Sequence, residues 1–135
     1  MREPEPLHGL RVVATPAAVD AIATGTVVVR IAPDEAFVIG ASDLRLDDPH
    51  AIVEPESAFV GWWLEPDEVA DLLGNRVEWV LPTPLAGSSQ LAQGLVAGVP
   101  MKLWVGDATD DARSLLIVSR SLAHEAHDRL FGAHA

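Results

Sequence analysis

The sequence predicts an α+β fold, a mainly antiparallel sheet with two to three helices packed on one face. Three observations predict it. Short apolar or β-branched runs recur in pairs around turn residues, the pattern of hairpins. Two segments, after Thr15-Pro16 and after Glu65-Pro66, begin with proline at the first helical position and continue with apolar residues at helical spacing. A last amphipathic segment after Ser121 closes the order strand–helix–strand–strand, then strand–helix–four strands–helix.

Taken in order, residues 1–8 are a Pro- and Glu-rich tail expected to be loose, and 9–132 are expected to form a single α+β domain. Leu10–Ala14 is a short strand. Thr15 caps a helix over Ala17–Ala23 that puts Val19, Ile22 and Ala23 on one face, with Gly25 after its end. Thr26–Ile31 is β-branched and nearly all apolar, as expected of a central buried strand. Pro33-Asp34-Glu35 turns the chain into a partner strand over Ala36–Ile39. The aspartate-rich stretch Gly40–His50 reads as a loop, and Ser57–Leu64 as a strand.

Pro66 at the first helical position and acids in the first turn start the second helix, whose apolar face is Val69, Leu72 and Leu73. Gly74-Asn75 is expected to stop it in a left-handed conformation. Val77–Leu81 is a predicted strand carrying Trp79, and Pro82 to Ser89 a connecting loop. Gln90–Val96 and Met101–Val105 pair around Ala97-Gly98, with Pro100 at an edge or a bulge. Gly106–Ala112 is an acidic turn, Ser114–Val118 a buried strand, and Ser121 the cap of the last helix.

Charge and composition exclude several roles. The chain has 135 residues, a formal net charge of −11 and only nine basic residues, which are scattered. Binding through phosphates needs clustered Lys and Arg, so neither nucleic acid nor an anionic membrane surface is an expected partner. No apolar run approaches the ~20 residues of a membrane span. The first residues show no apolar signal region. The absence of cysteine rules out disulfides and thiolate metal sites, and a cytoplasmic protein is expected.

Motifs for chemistry are weak. His124-Glu125-Ala126-His127 spaces two histidines three apart, whereas a zinc-protease helix needs four. His124 and His127 are therefore weak metal candidates, His134 lies close by, and no metal is expected. The pairs Asp34/Glu35, Asp47/Asp48 and Glu54/Glu56 sit in acidic, proline-flanked loops with nothing to suggest a tuned carboxylate. No Gly-x-Ser-x-Gly elbow and no phosphate-binding glycine motif is present. The four tryptophans in a chain without tyrosine are the better signal. Trp62 and Trp63 are adjacent in a strand and must point to opposite faces, one into the core and one toward solvent, a ligand or a partner.

From Val28 onward the chain resembles a known family. Val29–Ile31, Ala32-Pro33-Asp34-Glu35 and Ala36–Ile39 match an apolar strand, a Pro-Asp-Glu turn and a second apolar strand. Phe59–Leu64 with Glu65-Pro66, Ala92-Gln93, Val99-Pro100-Met101-Lys102-Leu103-Trp104, and Leu115–Ser121 follow in the same order. Together these resemble the gamma subunit of heterotetrameric sarcosine oxidase, a relative of the folate-binding domain of the glycine-cleavage aminomethyltransferase. The resemblance implies an aminomethyltransferase-like fold and a role in one-carbon metabolism. It implies a subunit that packs against larger flavin-carrying partners and holds no cofactor itself.

The functional expectation is thus a non-catalytic, subunit-like domain that acts by protein association or as a homo-oligomer. Trp62, Trp63 and the edge around Pro100 would dock, and Trp104 and Arg120 are further ligand or interface candidates. A second reading is a stand-alone module for a folate-like or other one-carbon ligand. Tetrahydrofolate would then stack its pterin on Trp62 or Trp63 and give its amino edge to Glu54 or Glu56. A small acid–base enzyme is the third.

Overall fold

A computed structural model describes residues 3–22, 27–83, 85–108 and 113–132. The chain is α+β and its strands pair mainly antiparallel, in two compact units: Leu7–Ser57, and Ala58–Ala135 with Met1–Pro6. Its elements are β1 (Glu5–Val13), α1 (Pro16–Asp20), β2 (Val27–Ala32), β3 (Glu35–Ile39), β4 (Ile52–Leu64), α2 (Pro66–Leu73), β5 (Gln90–Val96), β6 (Val99–Val105), β7 (Ser114–Ser119) and α3 (Ala123–Phe131). Among the described residues no helix is long and apolar enough to cross a membrane.

In the first unit β3 is the middle strand, pairing β1 through Leu10↔Val38 and Val12↔Ala36, and β2 through Val28↔Val38 and Arg30↔Ala36. Period-two alternation puts Leu10, Val12, Ala36 and Val38 on one face, where they pack with Ala18, Val19 and Ile22 from the α1 region. The Thr15 hydroxyl caps α1 by accepting from the Ala18 N–H at 3.2 Å. Arg30 ties the hairpin turn to α1, donating to the Ala32 and Pro33 carbonyls and to Asp20 Oδ1 at 2.7 Å.

Two expectations change here. The first strand starts at Glu5, inside the stretch read as a loose tail, because ladder hydrogen bonding needs no apolar side chains. β2 is the outer strand beside β3 and mostly half-buried, not central and buried. An apolar run does not by itself say how many neighbours its backbone has. The predicted end of the first helix at Ala23 and the following Gly25 lie outside the described residues.

In the second unit the strand order is β4–β7–β6–β5, all antiparallel. Val60, Trp62 and Leu64 of β4, Leu116 and Val118 of β7, and Met101, Leu103 and Val105 of β6 form one buried face. Val69 and Leu73 from α2 and Ala126 and Leu130 from α3 cover it. The β5–β6 hairpin closes through Val96↔Val99, so its loop is Ala97-Gly98. Both loop residues have positive φ (50° and 84°), as a type I′ turn requires, and glycine takes the second position without strain.

Three local expectations are corrected. Gly74 ends α2 in a right-handed conformation (φ −53°, ψ −35°), its N–H returning to the Ala70 carbonyl as one more helical bond. Ser121 does not cap the last helix: its hydroxyl lies 3.0 Å from that of Ser119, in a 3-10 turn over Arg120–Leu122, and Leu122 stands at the N-terminus of α3. Val77–Leu81 is not a strand. It makes a single bridge, Val77↔Val96, beyond which the Trp79 indole takes the Leu95 carbonyl of β5 at 3.2 Å. The side chain does there what a ladder would have done.

Candidate functional site

The second face of the β4–β7–β6–β5 sheet carries the side chains that alternate with those of the first. Register fixes them in rows: Trp63, Leu115, Trp104 and Leu91 in one, and Gly61, Ile117, Lys102 and Gln93 in the next. Phe59, Ser119, Pro100 and Leu95 continue the face beyond them. Within these rows Leu115 and Ile117 are fully buried, whereas Leu95 keeps 56% of its surface exposed.

Proline explains why the face opens where it does. In a two-residue hairpin the pair flanking the turn exchanges hydrogen bonds, so the next pair, Leu95↔Pro100, does not. The nitrogen of Pro100 therefore points away from β5, toward β7, where it has no hydrogen to give. The β6–β7 ladder begins only at Lys102↔Ile117, and the chain leaves β7 at Ser119 for the 3-10 turn. The gap is a groove of about 280 Å³ whose lining includes Phe59, Leu95, Pro100, Met101, Ile117 and Leu122. Lys102 stands at its rim, its ammonium 5.6 Å from the centre of the Phe59 ring.

The tryptophans divide as strand alternation demands. Trp62 is 2% exposed and packs 5.5 Å from Phe131, in the core. Trp63 is half-buried on the second face, where Trp104 meets it edge-on at 6.1 Å and the Arg113 guanidinium covers it at 4.6 Å. The structure thus brings Trp63 and Trp104 together and sends Trp62 elsewhere. Arg120 is exposed in the 3-10 turn.

Glu54 and Glu56 belong to the first unit, Trp62 and Trp63 to the second. Glu54 is exposed and accepts from Arg11 Nη1 at 3.1 Å, while Arg11 Nε donates to Glu35 at the same distance. The guanidinium, held protonated above all by its hydrogen bond to Glu35, joins carboxylates from two of the expected acidic pairs. A cation between two carboxylates makes a surface ion pair rather than a desolvated acid for proton transfer. Glu56 is half-buried. Asp48 is held below the usual aspartate range by the backbone N–H groups of His50 and Thr15, and so stays charged.

The two histidines do not act as a pair. His124 is exposed and lies 3.4 Å from Asp128, whereas His127 turns toward Phe131 and buries its Nε2 without a hydrogen-bond partner. Among the described residues no group of three or more His, Asp or Glu converges as metal ligands would.

Sequence reasoning placed Pro100 at an edge but missed Phe59, Leu95 and Lys102 as its neighbours. One signal was available, since Lys102 is the only lysine in the chain. Comparison with known proteins finds no matching family model, no matching curated protein and no matching solved structure.

Proposed function

We propose that the chain is a non-catalytic, subunit-like domain that works by protein association, of the kind the gamma subunit of sarcosine oxidase represents. The observation that carries this reading is the open groove, where Leu95, Pro100 and Phe59 present apolar surface beside a rigid hairpin. Apolar side chains held on strands and left accessible are what a docking partner buries. In the family resembled, the larger subunit would bring the flavin and the one-carbon chemistry. A stand-alone folate-like module would need an enclosed pocket with converging polar groups. Here the groove is only partly enclosed, and its lining is mostly apolar.

The test is co-purification of the tagged protein from its own cells, with Leu95→Asp as the variant. Leu95 is exposed enough for the change to leave the fold intact, which a matching thermal melt checks. A flavoprotein that co-purifies with the wild type and is lost from Leu95→Asp supports the reading. A wild-type chain that returns alone and runs as a monomer overturns it.

A further inference from the structure

We infer that the groove seats an apolar segment of a protein partner through a carboxylate on that segment, which pairs with Lys102. The inference rests on the association reading and adds the chemistry of the partner. Lys102 is the only lysine in a chain of formal net charge −11. Its ammonium lies over Phe59 and pairs with no carboxylate among the described residues. Three of the arginines are already engaged by carboxylates: Arg11 with Glu35 and Glu54, Arg30 with Asp20, and Arg129 with Glu125.

Among the described residues the groove lining holds no acidic side chain. Lys102 is half-buried, and an ammonium against an aromatic ring has part of its hydration replaced by a weaker contact. An incoming carboxylate would restore it with a charge-assisted bond. The formal net charge of −11 disfavours such a group over much of the surface, whereas at the groove a cation and apolar contact coincide. At about 280 Å³ the space has room for a bulky side chain with a neighbouring Asp or Glu.

Because Lys102 is the only side-chain amine, carbodiimide coupling tests this directly by forming an amide between an amine and a carboxylate in contact. The complex co-purified from cells is treated with carbodiimide and the junction mapped by mass spectrometry. A link from Lys102 to an Asp or Glu within an apolar stretch of a second protein is expected. Lys102→Arg should keep the association and lose the link. Lys102→Glu should weaken co-purification about tenfold or more, and an acid-to-lysine change in the partner should restore it. If Leu95→Asp abolishes association but Lys102→Glu does not, the docking surface stands and the carboxylate pairing fails. A link from Lys102 to a second copy of this chain overturns the foreign partner. A wild type that binds nothing overturns both readings.

Discussion

Trp79 lies across Gly94, and its indole Nε1 donates to the Leu95 carbonyl oxygen at 3.2 Å. A Cβ at position 94 would come within 2.5 Å of that nitrogen. Gly94→Ala should therefore displace the ring and cost about 1–3 kcal/mol as an overpacking change. Trp79→Phe keeps most of the ring and loses the hydrogen bond, about 1 kcal/mol. Urea denaturation of both variants checks the order, and a neutral Gly94→Ala would show that the indole does not sit there.

Trp62 and Trp63 should separate cleanly in stability. Trp62→Ala empties a core site beside Phe131 and should cost about 3–5 kcal/mol. Trp63→Ala removes a half-buried ring and should cost roughly 1–2 kcal/mol. The consequence for binding experiments is practical, because loss of a partner in Trp62→Ala would report unfolding rather than contact. Chemical denaturation of the two single variants decides it.

The Ala97-Gly98 turn carries a correctable strain. Alanine at φ 50° occupies a region that asparagine tolerates far better. Ala97→Asn should raise stability by about 0.5–1 kcal/mol while leaving the Arg129 bond to the residue 97 carbonyl in place. An unchanged denaturation midpoint would argue against a type I′ turn.

Asp48 gives the fold an acid-sensitive clasp on the start of α1. Its folded-state pKa is depressed, so its contribution is complete above the ordinary aspartate pKa and is lost as pH falls through the folded value. Asp48→Asn should therefore be less stable than the wild type at pH 7, with the gap closing below about pH 4 as the unfolded-state aspartate protonates. Denaturation series at pH 7 and pH 3 test the sign, and a gap that widens in acid would contradict it.

Local rules carried much of this structure into the sequence. Gly98 after Ala97, between two apolar runs, marked the hairpin, and Thr15-Pro16 marked a capped helix. Adjacent Trp62 and Trp63 announced opposite faces before it was known which was inside. What stayed hidden depends on distant partners. Val77–Leu81 reads as a strand because its apolar content cannot disclose that a tryptophan side chain, not the backbone, meets β5. Ser121 reads as a cap because the chain's 3-10 turn, which shifts the helix start, is set by how β7 ends. The groove was illegible for the same reason. Phe59, Leu95 and Lys102 lie far apart in sequence and meet only through register.

The outermost strand, β5, is flanked by the segment from Arg76 to Thr83. The Ala97 N–H is taken by the Arg76 carbonyl, the Leu95 carbonyl by Trp79, and the Thr83 carbonyl by the Gln90 side chain. At the hairpin end of β5 a visiting strand would have to displace the Trp79 indole to reach the Leu95 carbonyl. Recognition at that end reads side chains. Such a surface is selective and easily retuned, since a single exchange at Leu95 or Lys102 can change which neighbour is accepted without disturbing the scaffold beneath.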